Sequence, residues 1–201
     1  MDPSKAYDQK ALFLNGKTGL QRGEALHEIN LQCYEERDKY NEIGLRDPSP
    51  EVRDIAAGSL RGVPDHFVPM LINSIANDPD AKVRASAGYS LSHFYTDNGS
   101  EGYLYIKPLE NKLDKLLIGL KNAETVRSVV EILDSTACDM SVKNREKILS
   151  ALRKQLKTIR LLAAEAFRGN SSARWNNELN EADHEIDIAI ENITKCYPTK
   201  H

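Results

Sequence analysis

The stretch Asp47-Pro48-Ser49-Pro50-Glu51-Val52-Arg53-Asp54-Ile55-Ala56 returns 31 residues later as Asp78-Pro79-Asp80-Ala81-Lys82-Val83-Arg84-Ala85-Ser86-Ala87. Asp-Pro, Val-Arg and the following Ala keep their places, and Ser59-Leu60 is matched by Ser90-Leu91. One step further back, Thr18 to Ile29 keeps Arg22, Ala25 and the apolar Ile29, with Gln21 where the other copies have Val. A period of this length marks a chain of stacked supersecondary units, because one unit buries its apolar face only against the next.

Helix-start chemistry supports the same register. Thr18, Ser49 and Asp80 are spaced by the same 31 residues and are all good N-cap types. Pro50 follows Ser49 at the first helical position, and Thr18 with Gln21 has the spacing of a capping box. Val52, Ala56 and Leu60 fall at i, i+4 and i+8, one buried stripe against a paired helix. Val83 and Leu91 repeat that stripe, so these positions are expected at the helix-pair interface.

Two further copies are expected downstream. Thr158-Ile159-Arg160-Leu161-Leu162-Ala163-Ala164 reproduces the Val-Arg-x-x-Ala-Ala string, and Val126-Arg127 opens a looser copy with Asn122 as candidate cap. Apolar runs at helical spacing supply upstream partners around Tyr34 to Leu45, His66 to Ile75, Pro108 to Leu120 and Val142 to Leu156. Ser172 to Cys196 breaks the pattern. There Trp175, Leu179, Ala182, Ile186, Ala189, Ile190 and Ile193 form one apolar stripe, and acidic residues fill the other face. This predicts a single amphipathic helix closing the open end.

The pattern Asp-Pro-x-x-x-Val-Arg-x-x-Ala resembles the HEAT-repeat family, especially the short repeat of phycobilisome-lyase-like proteins and many bacterial binding proteins. The resemblance implies an all-α fold, a right-handed α-solenoid of about five HEAT-like helix pairs. It would form one domain over 1–201, with repeats over roughly 5–32, 33–62, 63–95, 104–138 and 141–168 and a capping helix over 171–196. Arg53, Arg84, Arg127 and Arg160 would then form a ladder with carbonyls or with Asp47 and Asp78 of the loops. The motif residues hold such a scaffold together and leave its activity open.

Composition narrows that activity. A net charge of −3 advertises no polyanion partner, which weighs against nucleic acid. Cys33, Cys138 and Cys196 are an odd, scattered set, so no disulfide framework is expected and a reducing compartment is. No window approaches the ~18 apolar residues of a membrane span, and the N-terminus lacks a signal-peptide pattern. The expected setting is the cytoplasm, with no membrane partner.

Catalytic constellations are weak. His27-Glu28 and Asp183-His184-Glu185 invite comparison with HEAT-like iron hydroxylases, which use His-Glu pairs on successive helices. The equivalent positions here are Gly58-Ser59 and Tyr89-Ser90. No cysteine has a neighbouring His in a catalytic motif, and no Gly-rich phosphate loop appears. HEAT-like alkylpurine DNA glycosylases work with aromatic residues in a basic groove, and Trp175 reads instead as a packing residue. No catalytic residue, metal or cofactor is therefore expected.

Two surfaces are candidates for binding another protein. The segment 96–105 lengthens the repeat and carries Tyr103 and Tyr105, a residue type enriched in interface hot spots. Tyr89 and His93, one turn apart on the preceding helix, extend that surface. The second is a basic band from Lys143 to Arg168 that includes Arg153, Lys154 and Lys157; Lys154 and Lys157, followed by Arg160, share a helical side, and the band suits an acidic protein surface or phosphates. The expected role is a non-enzymatic scaffold, adaptor or inhibitor, with toxin-immunity proteins among the examples. Alternatives are a lyase-like or chaperone-like protein acting on a chromophore protein, and a HEAT-like nucleic-acid binder.

Overall fold

Helices account for every regular element in the computed structural model, which describes residues 3–32, 36–60, 65–97, 106–168 and 173–196. In chain order they are α1 (Pro3–Asn15), α2 (Gly19–Gln32), α3 (Arg37–Gly44), α4 (Pro50–Gly58), α5 (Val68–Asn77) and α6 (Ala81–Asp97). The rest are α7 (Ile106–Glu110), α8 (Leu113–Leu116), α9 (Val126–Thr136), α10 (Val142–Arg168) and α11 (Ala173–Lys195). Short 3-10 turns run over Asp65–Phe67, Leu117–Lys121 and Ala137–Asp139. Among the described residues there is no strand, and no helix is long and apolar enough to cross a membrane.

The helices pack in two rows. α2, α4, α6, α9 and α11 lie each against the next, forming one row. In the other, α1 packs on α2, α3 on α4, α5 on α6, the 3-10 turn Leu117–Lys121 on α9, and α10 on α11. The core runs between the rows. Val52, Leu60, Val83 and Leu91 are fully buried there, with Leu26, Ile72 and Ile132. Close approach depends on small residues. A methyl on Gly44 would come within 2.8 Å of Leu26 Cδ2 and 2.9 Å of Ala56 Cβ, so α3 reaches α2 and α4 only as glycine. One polar pair is sealed in as well: the Asn41 side chain is fully buried and exchanges amide hydrogen bonds with Asn30 at 2.8 and 3.0 Å. Two amides satisfying each other avoid the cost of a buried unpaired donor.

The helix starts expected near Thr18, Ser49 and Asp80 are found at Gly19, Pro50 and Ala81. Thr18 and Gln21 make the capping box, with the Gln21 N–H donating to Thr18 Oγ1 at 3.2 Å and the Thr18 N–H donating to Gln21 Oε1 at 3.4 Å. Asp80 caps α6 through the Lys82 and Val83 N–H groups. Ser49 occupies the cap position but makes no cap, because its hydroxyl is drawn to the Glu51 carboxylate. Asn122 is not the cap of α9. That helix follows Thr125, and Asn122 contributes its backbone carbonyl, which accepts from the N–H groups of Thr125 and Val126.

The motif arginines explain why Asp-Pro recurs. Arg53 donates Nε and Nη2 to the two Asp78 carboxylate oxygens at 2.8 and 3.0 Å, and Nη1 to the Asp47 and Pro48 carbonyls at 3.0 Å. Arg22 does the same with Asp47 at 2.8 and 2.7 Å and with the Gly16 carbonyl at 2.9 Å. Arg84 grips the Asp78 and Pro79 carbonyls and pairs with Glu124. Each aspartate also accepts from the backbone N–H two residues on, Ser49 at 2.8 Å and Asp80 at 3.0 Å. One carboxylate thus folds its own loop and locks the preceding helix to it, a bidentate geometry that suits Arg and not Lys.

The C-terminal part departs from expectation in two ways. Val142–Arg168 is one continuous helix, where the motif copy at Thr158 implied a second helix after a break. Nothing between Leu152 and Arg160 interrupts a helix: there is no Gly or Pro, and most residues are good helix formers. α11 then fills the second-row position against both α9 and α10, so it is the partner of α10. The cysteines are the other departure. Cys138 and Cys196 form a disulfide with their Cα atoms 5.4 Å apart, within the range such bonds require. It ties the turn after α9 to the end of α11, where no disulfide framework was expected. Sequence separation hid it, because they stand 58 positions apart. Cys33 lies outside the described residues.

Candidate functional site

α6 lies midway along the second row, between α4 and α9. Its inner side is fixed by burial of Val83, Ala87 and Leu91 and by hydrogen bonds to its neighbour. Ser90 Oγ donates to the Ala57 carbonyl at 2.7 Å, and Ser86 Oγ to Asp54 Oδ1 at 2.5 Å. Gly88 lets α9 come close, since a methyl there would sit 3.1 Å from Ser128 Cβ. Among the described positions of α6, Ala81, Lys82 and Tyr89 are exposed, Tyr89 by 42%. The His93 ring lies edge-on to it, with ring centroids 4.3 Å apart at 80°. Two large amphipathic rings are thereby held on a rigid helix, with the phenol oxygen and imidazole nitrogens as polar handles. Tyr103 and Tyr105, expected to continue this surface, lie outside the described residues.

The row continues the surface on either side. Leu20, Glu24, His27 and Leu31 form an exposed stripe on α2, and Arg127 and Ser135 are exposed on α9. Arg127 hydrogen-bonds Glu131 and pairs with Glu185 of α11 at 3.2 Å. Glu131 also accepts from Ser92 Oγ at 3.0 Å, which links α6, α9 and α11 through side chains. Burial raises the Glu185 carboxyl above its usual range, and the adjoining Glu131 and Glu181 charges act the same way against Arg127.

Below this junction is a cavity of about 320 Å³. Val126, Ile159, Leu162 and Leu179 form its apolar walls, with Arg127 and Glu185 on the rim. It arises because α10 and α11 are longer than α9. Arg127 meets Glu185 near the start of α9, so the chain before Glu185 on α11 overhangs the turn at 121–125. No spacing in the sequence marks this cavity, since its walls come from three separate segments. Glu124 was missed for a similar reason. It stands three residues before Arg127, whereas Asp47 and Asp78 stand six before Arg53 and Arg84.

The basic band divides in two. Lys147 pairs with Asp114, Arg145 donates to the Cys196 carbonyl at 3.0 Å, and Arg160 pairs with Asp183 at 2.7 Å and also with Asp187. Arg153, Lys154 and Lys157 stand exposed on α10 and make no ion pair among the described residues. The acidic face of α11 therefore neutralises one end of the band and leaves its middle. His27-Glu28 is on α2 and Asp183-His184-Glu185 on α11, at opposite ends of the row. Among the described residues no three His, Cys, Asp or Glu side chains converge as a metal site would need.

No protein-family model matches the chain, and no curated protein sequence matches it.

Proposed function

We propose that this chain is a non-enzymatic protein-binding scaffold, an adaptor or an inhibitor of the toxin-immunity kind, that grips one protein partner along its second-helix row. In this reading the two rows of helices are a right-handed HEAT-like α-solenoid, and the partner lies across α2, α4, α6 and α9. The observation that carries it is the Tyr89–His93 pair, an exposed tyrosine against a half-buried histidine at the middle of the row, on a helix otherwise locked into the core. Tyrosine offers a large contact area for little lost rotamer entropy, and a rigid backbone beneath it lowers the cost of binding further. In a reducing cytoplasm the Cys138–Cys196 bond would be opened, and this reading then requires the helix rows to hold without it.

The test is a comparison of wild type with Tyr89→Ala in affinity capture from the source cells, followed by calorimetry with the captured protein. Loss of the tyrosine is expected to weaken binding by about 2 kcal/mol. The melting temperature should hardly move, because the ring is largely outside the core. Undiminished affinity removes α6 from the interface.

A further inference from the structure

Along the outer face of α10 runs a groove lined, among the described residues, by α10 and by Thr194 of α11. Two shallow depressions meet at Arg153. Leu156 and Leu161 floor the first, with Lys157 and Arg160 on its rim. Leu149 floors the second, between Glu146 of α10 and Thr194 of α11. Leu161 is 58% exposed, one turn beyond Lys157 on the same side of the helix. From 146 to 161 the groove is ~22 Å long at the rise of an α-helix, which about seven residues of extended peptide would span.

We infer that this groove docks an acidic segment of a protein, its carboxylates against Arg153, Lys154 and Lys157 and an apolar side chain over Leu156 and Leu161. Charge complementarity selects the anion, because these three cations are exposed and have no carboxylate partner among the described residues. The leucine floor selects a protein over a nucleic acid. Single-stranded nucleic acids are held by aromatic platforms, and among the described residues neither depression is lined by an aromatic one. Glu146 fixes polarity, since it repels acidic residues from its end and leaves the carboxylates over 153–161. Arg160 takes a lesser part, because Asp183 and Asp187 already hold it. The inference rests on the reading of the chain as a protein binder, but places a second contact on the opposite row of helices from Tyr89.

The experiment is fluorescence anisotropy with the full chain and three labelled probes. These are an eight-residue peptide alternating Glu with Leu, its Gln-for-Glu counterpart, and a single-stranded oligonucleotide of equal charge. The acidic peptide should bind, the neutral one at least ~tenfold more weakly, and Arg153→Glu with Lys157→Glu should cost a further ~tenfold or more in the acidic peptide's affinity. Leu161→Ser should weaken the acidic peptide without abolishing its salt dependence. All three positions are exposed, and circular dichroism checks that each variant is folded. Tyr89→Ala should leave peptide binding unchanged, so failure here is distinct from failure of the α6 interface. The inference is overturned if neither peptide binds, if the charge reversals leave peptide affinity unaltered, or if the oligonucleotide binds more tightly than the acidic peptide.

Discussion

Arg53 and Arg160 stand in the same string, Val-Arg or Ile-Arg followed by x-x-Ala-Ala, yet they belong to differently built halves of the molecule. In the first half Arg53 is 13% exposed and its partner Asp78 is 8% exposed, and between them they join two helix pairs and shape a loop. Arg160 is 54% exposed, in the interior of one long helix, and pairs across to two aspartates of α11. What separates them is the chain before the arginine. Asp-Pro six and five residues upstream makes the turn that Arg53 braces, and the corresponding residues before Arg160 are Lys154 and Gln155. A repeat is specified by its loop and its helix together, and the helical string alone is an ordinary amphipathic sequence. Where the loops change, the packing is secured by other means: long helices, the Arg127 junction and the Cys138–Cys196 bond.

The largest effects should come from the shared core, where the two halves are expected to differ least. Leu60→Ala and Leu91→Ala each remove a fully buried side chain between the rows and should cost about 2–5 kcal/mol. Urea midpoints measure this. A shift too small to register would mean that the helix-pair interface relaxes around the cavity.

Next comes the covalent tie of the C-terminal half. Closing a loop across 58 residues restricts the unfolded chain by up to about 4 kcal/mol on the loop-entropy model. Reduction, or Cys138→Ser, should therefore lower the unfolding midpoint, and wild type under reducing conditions should match the variant. Equal midpoints with and without reductant would show that the bond does not restrain this half.

Much of the first half was legible in advance because its information is local. Caps, turn residues and the apolar stripe lie within one 31-residue unit, so Thr18, Asp80, Val52, Leu60, Val83 and Leu91 could be placed without knowing the fold. The second half depends on contacts between distant segments. Continuity of α10 follows from the lack of a breaker near Thr158, a signal overridden by the motif match. The Cys138–Cys196 pair, the cavity below Arg127 and the grip of Glu124 on Arg84 each join parts of the chain that no spacing rule links. For the binding surface, the exposure of Tyr89, Arg153, Lys154 and Lys157 followed from helical spacing. Which cations α11 would neutralise did not, since that required the register of α11 on α10.

The clamp at Asp47 is also acid-sensitive. Burial alone would raise the Asp47 carboxyl, but hydrogen bonds from Arg22 and the Ser49 N–H, with the Arg22 and Arg53 charges, hold it below the usual range. A carboxyl depressed in the folded state contributes stability above its unfolded value near 4, and that contribution is lost as pH falls through the lower folded value. Stability should thus decline below about pH 4, and Asp47→Asn should flatten part of that decline. An unchanged slope in Asp47→Asn would move the acid sensitivity elsewhere.

The smallest effects come from setting the two arginines side by side. Arg53→Ala removes the cation from a largely buried Asp78 and leaves four hydrogen bonds to carbonyl and carboxylate oxygens unmade, at a cost of about 2 kcal/mol. Arg160→Ala breaks contacts to Asp183 and Asp187 that water can replace, because all three side chains are substantially exposed. Exposed pairs contribute about 0–1 kcal/mol and are screened by salt. The Arg160 variant should therefore sit within about 1 kcal/mol of wild type, and the gap should shrink as salt is raised. The Arg53 gap should persist, since its bidentate pair is shielded from the ions. Lysine separates charge from geometry: Arg53→Lys keeps the charge but loses the fork, and should recover less than half of the loss, whereas Arg160→Lys should be indistinguishable from wild type. If the two arginines instead responded alike to alanine, lysine and salt, the clamp would be no more than a surface ion pair, and the distinction between the two halves would rest on the long helices, the Arg127 junction and the disulfide.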